Sequence, residues 1–104
     1  MEEKKIQEMQ ILEQTLQNML LQKQAFQMEL SETASALEEI NNSGEEVFRI
    51  IGQLMVKSDK KKMLEELANK EKILNLRIKT IDKQENSITE RLERLKEELA
   101  EKKK

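Results

Sequence analysis

The side chains in this sequence that could take part in chemistry are carboxylates and amines. Of the 104 residues, 21 are Asp or Glu and 19 are Lys or Arg, whereas histidine and cysteine are absent. Their absence removes the commonest general base, the commonest nucleophile and the usual transition-metal ligands. The two glycines, Gly44 and Gly52, are too few for a phosphate-binding loop. We therefore predict a protein that is not an enzyme and that binds no metal or cofactor.

Charge and hydropathy argue against two further classes of protein. The formal net charge is −2 and aromatic residues make up 2% of the chain, so it offers neither a basic surface nor stacking platforms for nucleic acid. No apolar run approaches the length of about 18 residues that a membrane span needs. The charged N-terminal stretch MEEKKIQEMQ lacks the apolar region of a signal peptide. Because cysteine is absent, which fits a reducing compartment, we expect a cytoplasmic protein.

Long helices are the elements that must carry these charges. Charged residues make up 38% of the chain and proline is absent, a composition typical of coiled coils. Apolar residues recur at alternating spacings of three and four from Met9 to Ile40 and from Leu64 to Leu99, which is the heptad pattern of a coiled-coil seam. We predict one unit over residues 1–104, with a helix at about 2–41, a β-hairpin at about 46–57 and a second helix at about 59–101.

The two seams match each other if the chain folds back on itself. With Ile40 beside Leu64, every a position of one helix meets a d position of the other, as an antiparallel coiled coil requires. Polar residues interrupt the seams at Lys23 and Glu85, and we predict that these two form an ion pair that fixes the register but adds little stability. Thr33 and Glu71 are expected to lie opposite each other. Three i,i+4 pairs are expected to support the helices: Glu66–Lys70, Glu90–Arg94 and Glu98–Lys102.

The segment between the helices predicts a β-hairpin. Asn41 to Gly44 are expected to end the first helix in a left-handed C-cap, and Ser58 or Asp59 to cap the second. Gly52-Gln53 has the signature of a type II′ turn, which pairs Ile51 with Leu54. Both faces of this hairpin are largely apolar and both edges are open, so we predict that hairpins of several chains join into a shared sheet or barrel. The residues expected to make these contacts are Val47, Phe48, Ile50, Ile51, Leu54, Met55 and Val56.

The junction ALEEI…VFRIIGQLMVKSDKKKMLEEL, from Ala36 to Leu67, resembles the β-class subunit of prefoldin, and most of all an archaeal one. The resemblance implies an all-α-dominated fold: a long antiparallel two-helix coiled coil with one β-hairpin that joins an oligomeric β-barrel. It also implies an ATP-independent chaperone that binds unfolded proteins at the distal tips of its coiled coils. The implied partners are a prefoldin α-class subunit and other β copies in an α2β4 hexamer, unfolded client proteins and a group II chaperonin.

The tips that the resemblance implies correspond here to residues near both chain ends. The off-seam residues Ile6, Ile11, Leu20 and Leu21 are the better candidates for client contact, because the seam does not need them. Lys5 and Glu2 are expected to weaken the seam at its last turns, so that it can open. Seam residues that then become accessible are Met9, Leu12, Leu16, Met19, Leu92, Leu95 and Leu99.

Other interpretations share the same fold. The chain could be a structural coiled-coil spacer or scaffold with one specific partner, which would not need an apolar surface that accepts many sequences. A nucleic-acid-binding arm would need a basic stripe, which is absent. The charged segment from Glu93 to Lys104 is expected to be a solvated helix end, or else, by analogy with the family, a contact to the chaperonin rim.

Overall fold

Two long helices and one β-hairpin make up the described part of the chain. The computed structural model describes residues 2–102, so Lys103 and Lys104 of the charged C-terminal segment, and the Lys102 side chain of the predicted Glu98–Lys102 pair, lie outside the described residues. Helix α1 spans Glu2–Asn42, strand β1 Glu46–Ile51, strand β2 Leu54–Asp59 and helix α2 Lys60–Lys102. This element order confirms the predicted fold class. Closure of the hairpin into a barrel stays a prediction, as does folding of the chain as one unit.

The heptad pattern correctly identified the buried stripe of each helix. Every predicted seam position from Met9 to Ile40 in α1 is buried or half-buried, and so is every one from Leu64 to Leu99 in α2. Leu95 is completely buried, with none of its surface exposed. Thr33 is also buried, and its Oγ1 donates a hydrogen bond of 2.8 Å to the carbonyl oxygen of Glu29 one turn earlier, which satisfies the hydroxyl within its own helix.

The described residues fall into two compact units. The first contains α1 up to Ala25 and α2 from Ile78 onward; the second runs from Phe26 to Arg77 and includes the hairpin. In both units the helices are antiparallel, because residues of rising number in α1 contact residues of falling number in α2. In the first unit the ion pairs are Lys5–Glu98, Glu8–Arg91 and Lys23–Asp82. In the second, the Arg77 guanidinium lies 5.7 Å from the centre of the Phe26 ring and Glu29 pairs with Lys70.

Two of these ion pairs occupy equivalent positions beside the seam. The pairs are Glu8–Arg91 and Glu29–Lys70. In both pairs, each residue directly precedes an a position of its own helix. The two residue numbers add up to 99 in both cases, so both pairs follow the same alignment of the two helices. The predicted intrahelical pair Glu66–Lys70 is wrong, because Lys70 reaches across to Glu29, 3.0 Å away, and Glu66 binds Arg49. Glu90 and Arg94 likewise form no ion pair in residues 2–102.

Of the two helix ends next to the hairpin, the start of α2 was predicted correctly and the end of α1 was not. At the start of α2, Asp59 Oδ1 accepts a hydrogen bond of 3.0 Å from the Lys61 amide, which makes Asp59 the N-cap. The predicted left-handed C-cap of α1 is wrong, because neither Asn41, Asn42 nor Gly44 has a positive φ. Instead, the carbonyl oxygen of Ile40 accepts hydrogen bonds from the Ser43 amide at 3.2 Å and the Ser43 hydroxyl at 2.7 Å. The hydroxyl and a tight last turn satisfy the carbonyl without a left-handed residue.

The hairpin has the predicted register. Strands β1 and β2 are antiparallel, with Ile51 opposite Leu54, Ile50 opposite Met55 and Arg49 opposite Val56. Gly52 has φ of +61°, whereas Gln53 has a negative φ, which is the combination of a type II′ turn and not of type I′. A Cβ at Gly52 would meet no atom within 4 Å, so the backbone conformation alone favours glycine at this position.

Candidate functional site

The largest concentration of exposed apolar side chains lies on the hairpin. Val47, at the base of β1, is 7% exposed and is the one buried apolar residue of the two strands. The other six apolar side chains of the predicted contact set are between 42% and 71% exposed, and we call them the hairpin surface: Phe48, Ile50, Ile51, Leu54, Met55 and Val56. Because side chains alternate along a strand, this surface covers both faces of the hairpin.

The hairpin surface is costly for a single chain to leave in water. Full burial of a side chain of this size is worth about 1.5–3 kcal/mol, and a lone two-stranded hairpin is marginal in stability. Arg49 Nη2 of β1 binds Glu66 Oε2 of α2, and Lys60 Nζ of α2 donates a hydrogen bond of 2.8 Å to the carbonyl oxygen of Ser43 in the loop between α1 and β1. Neither contact covers an apolar face, so both faces of the hairpin are exposed to solvent, and their contact with other chains stays a prediction.

A second exposed apolar set lies in the first unit, on α1 near its start. Ile6, Ile11, Leu20 and Leu21 are between 46% and 65% exposed, and we call these four the terminal surface. The seam residues proposed with them are less accessible. Leu92 and Leu95 are buried, whereas the others are half-buried: Met9, Leu12, Leu16, Met19 and Leu99. The off-seam residues are thus the ones that the folded chain already presents to solvent.

Ion pairs close the seam beside the terminal surface. Arg91 and Glu8 form a two-pronged contact, with Nε 3.0 Å from Oε1 and Nη2 3.3 Å from Oε2. The hydrogen bonds to Glu8 raise the pKa of Arg91 above its usual range. Lys5 Nζ lies 3.0 Å from Glu98 Oε2. Lys5 was expected to weaken the seam, but it instead joins the two helices, because its long side chain reaches past the apolar layer to a carboxylate at the flank.

A polar cluster interrupts the seam of the first unit close to the limits of that unit, Ala25 in α1 and Ile78 in α2. Lys23 Nζ lies 3.8 Å from Glu85 Oε2, which is the ion pair predicted from the sequence. It lies closer still to Asp82 Oδ1. The hydrogen bond to Asp82 raises the pKa of Lys23, and the nearby charges of Asp82 and Glu85 add to this effect, against the opposing effect of burial. The remaining Glu85 oxygen, Oε1, is buried without a hydrogen-bond partner among residues 2–102. Whether the cluster fixes the register stays a prediction.

Sequence reasoning missed three exposed apolar residues and one charged partner. Met28, Ile73 and Leu76 are 67%, 50% and 63% exposed in the second unit. They occupy off-seam heptad positions, so heptad spacing was the available signal, but they do not lie near the chain ends, to which the candidate residues were restricted. Asp82 follows the seam residue Ile81, and its flanking position was the available signal for a contact with Lys23. Within residues 2–102, no three carboxylates lie close enough together to hold a metal ion, and no described helix could cross a membrane.

Comparison with known proteins points to one family. Residues 3–104 match the family described as prefoldin subunit. Among curated relatives, the prefoldin subunit beta of Thermococcus onnurineus is 39% identical over 89 residues, covering 84% of this chain and 77% of its own. That of Pyrobaculum calidifontis is 38% identical over 86 residues, covering 81% of this chain and 69% of its own.

A solved structure supports the same assignment. The crystal structure of the prefoldin beta subunit from Thermococcus strain KS-1 superposes with a TM-score of 0.83 at 31% identity, covering 93% of this chain and 87% of that one. Sequence and fold therefore agree, from one long helix through the hairpin to the other, and the chain belongs to the prefoldin subunit family.

Proposed function

We propose that this chain is the β-class subunit of an ATP-independent holdase that works in the cytoplasm. Prefoldin subunits as a family are chaperone subunits that form hetero-oligomeric complexes. In the proposed complex, two α-class subunits and four copies of this chain join through their hairpins. The free ends of the helices bind unfolded proteins and deliver them to a group II chaperonin. Family membership and the exposed hairpin surface support the assembly.

The observation that carries the proposed client binding is the chemistry of the terminal surface. Its four side chains are aliphatic, exposed and not required by the helix seam. A surface that holds many unfolded sequences needs apolar contact without directional hydrogen bonds, because the hydrophobic effect does not depend on the sequence of the partner. Half-buried Met9 and Met19 lie on the same stretch of helix, and their flexible thioethers adapt to irregular partners.

The test compares the complex containing this chain with one in which the terminal surface is polar. The variant carries Ile6→Ser, Ile11→Ser, Leu20→Ser and Leu21→Ser, and both chains are assembled with an α-class subunit. A chemically denatured protein is then diluted into each complex without nucleotide, and aggregation is followed by light scattering. We expect the wild-type complex to suppress aggregation and the variant complex to lose most of this protection while keeping its mass.

The matched control removes exposed apolar surface from the other unit. A chain with Met28→Ser, Ile73→Ser and Leu76→Ser should protect the client as well as the wild type does. Equal protection by the terminal-surface variant would exclude this site. No protection by an intact wild-type complex would instead favour a spacer with one specific partner.

A further inference from the structure

A second row of side chains with heptad spacing runs along α1 in the first unit, on the face opposite the seam that packs against α2. Its members follow one another at alternating spacings of four and three residues, and we call them the outer seam: Gln7, Ile11, Gln14, Asn18, Leu21 and Ala25. All six side chains are exposed, Ile11 and Leu21 by 65% each. The outer seam thus has the spacing of a coiled-coil contact, yet it is open to solvent.

The outer seam carries no charged residue, although the solvent-facing side of a coiled-coil helix is usually charged. From residue 9 to residue 25, Glu13 and Lys23 are the only charged residues, and neither belongs to the outer seam. The equivalent row of α2 passes through four charged residues: Lys83, Glu90, Arg94 and Glu97. Because charged groups are the most costly to remove from water, α1 is the helix of this unit whose outer face a partner can cover.

Two amide side chains occupy the middle of the outer seam. Gln14 Nε2 donates a hydrogen bond of 3.3 Å to Asn18 Oδ1, which aligns both side chains along the helix. In the described part of the chain, Gln14 Oε1 and Asn18 Nδ2 make no hydrogen bond, so an acceptor and a donor remain for a partner. In coiled coils, an amide in the middle of an apolar seam fixes how two helices align. The outer seam therefore favours a partner with an uncharged polar residue at the matching position.

The spacing of the outer seam also decides which conformation of a partner fits it. A helix presents side chains on one face every three or four residues, whereas an extended chain presents them every second residue. A helix therefore matches the outer seam along its whole length, and an extended chain matches it at few positions. From Gln7 to Ala25 the outer seam is about 27 Å long, so a helix of about 18 residues covers it.

We propose that the outer seam binds amphipathic helices of partly folded client proteins. This inference rests on the proposed holdase function and names a class of client segment: a helix whose apolar stripe contains an uncharged polar residue near its middle. Ile11 and Leu21 belong to both the terminal surface and the outer seam, so the two surfaces are continuous and one client can contact both. Two large apolar residues among amides give a weak contact, which allows the client to be released.

The test measures the binding of a synthetic helix to the complex of this chain with an α-class subunit. The probe is a fluorescein-labelled peptide of three heptads, with leucines on one face, one asparagine at the middle of that face, and lysine and glutamate elsewhere. A second peptide has the same composition in scrambled order, and a third has a central proline that interrupts the helix. Fluorescence anisotropy should show that the complex binds the first peptide about tenfold more tightly than the other two.

An acidic variant of the outer seam carries Gln14→Glu, Asn18→Glu and Ala25→Glu. It keeps all four residues of the terminal surface, so a loss of binding cannot be attributed to that surface. We expect the helical peptide to bind it about tenfold more weakly than the wild type, because the added carboxylates must lose water in the contact. A control adds the same charge at exposed positions of α2 in the same unit: Gln84→Glu, Asn86→Glu and Thr89→Glu. The control should bind as the wild type does, and circular dichroism checks that both variants keep their helices.

An exchange of charge across the contact gives a readout that a damaged helix would not give. Gln14→Lys with Asn18→Lys should bind the asparagine peptide weakly and should bind more tightly a peptide with glutamate in place of that asparagine. Opposite charges then meet at the middle of the contact. A variant whose helix is merely damaged would bind both peptides weakly.

Three results would overturn the proposal. The wild-type complex could bind the helical and scrambled peptides equally, as it would if an extended chain were the occupant. The acidic variant could bind the helical peptide as tightly as the control does. Wild-type complexes could also associate with one another through the outer seam, which would make a second copy its occupant. A complex that binds the helical peptide but does not suppress aggregation would contradict the holdase function and leave the outer seam as a binding site for helices.

Discussion

Lys23 occupies a seam position in α1 yet keeps its charge by binding two carboxylates of α2. Asp82 contacts it most closely, and Glu85 Oε2 lies 3.8 Å from its ammonium group. Glu85 is less well accommodated, because Oε1 is buried without a hydrogen-bond partner in the described residues. A buried carboxylate oxygen without a partner lowers stability. A loss of stability is the usual cost of a polar residue that specifies register, so the cluster is consistent with the predicted register role, which no observation here tests.

The pH dependence of stability tests the contact of Lys23. Its pKa is raised in the folded chain, chiefly by the hydrogen bond to Asp82. The contact therefore contributes fully below the pKa of an unfolded lysine, about 10.4, and is lost as the pH rises through the higher folded-state value. As the pH rises through this range, we expect the free energy of unfolding to fall more steeply for the wild type than for Lys23→Arg, because arginine keeps its charge. Urea unfolding from pH 9 to 11.5 measures the free energy of unfolding of both proteins. The same dependence on pH in both would contradict the prediction.

At the scale of elements, the features that local chemistry decides were predictable from sequence. The burial of both helix seams follows from heptad spacing, and the hairpin register follows from Gly52-Gln53 between two β-prone runs. The end of α1 was not predictable in the same way. Asn41, Asn42 and Gly44 permit a left-handed cap but do not require one. The Ser43 hydroxyl donates a hydrogen bond to the Ile40 carbonyl instead, so no left-handed residue is needed. Long charged side chains such as Lys5 and Lys70 also form ion pairs with residues of the other helix, and the spacing of residues along one helix does not specify these partners.

The two glycines provide a matched test of the turn. Gly52→Ala places a side chain at φ of +61°, whereas Gly44→Ala does not require a left-handed conformation, and an added Cβ meets nothing within 4 Å at either site. We expect Gly52→Ala to destabilise the hairpin by about 1–2 kcal/mol and Gly44→Ala to be neutral or slightly stabilising. Amide hydrogen exchange in β1 and β2 measures the difference, and equal protection in the two variants would refute the assigned turn.

At the scale of the whole molecule, few apolar side chains are buried and many are exposed. The buried apolar residues of the described chain are Val47, Leu74, Ile81, Leu92 and Leu95. Such a narrow core gives a chain of this length little stability of its own. The hairpin concentrates the exposed apolar surface, whereas charge covers most of the helices. In the proposed assembly, copies bury the hairpin surface between them, and the stability gained in this way would link folding to assembly.

Two substitutions in the hairpin surface should separate assembly from helix formation. Ile50 and Met55 are paired across the strands and are 71% and 68% exposed, so aspartate at both positions removes little buried surface from the single chain but places two like charges opposite each other. In a shared sheet, each substitution would remove an apolar side chain whose burial is worth about 1.5–3 kcal/mol. It would also add a carboxylate that is costly to remove from water. We expect Ile50→Asp with Met55→Asp to abolish association while part of the helical circular dichroism signal remains.

The control for this variant is Met28→Asp with Ile73→Asp, which adds the same charge at exposed apolar positions of the helices, 67% and 50% exposed. Light scattering should show the wild-type mass for the control and the mass of a single chain for the hairpin variant. An unchanged mass for the hairpin variant would remove the hairpin from the assembly. If the control lost mass as well, added negative charge and not loss of the hairpin surface would be the cause, because the helices would then be equally sensitive to it.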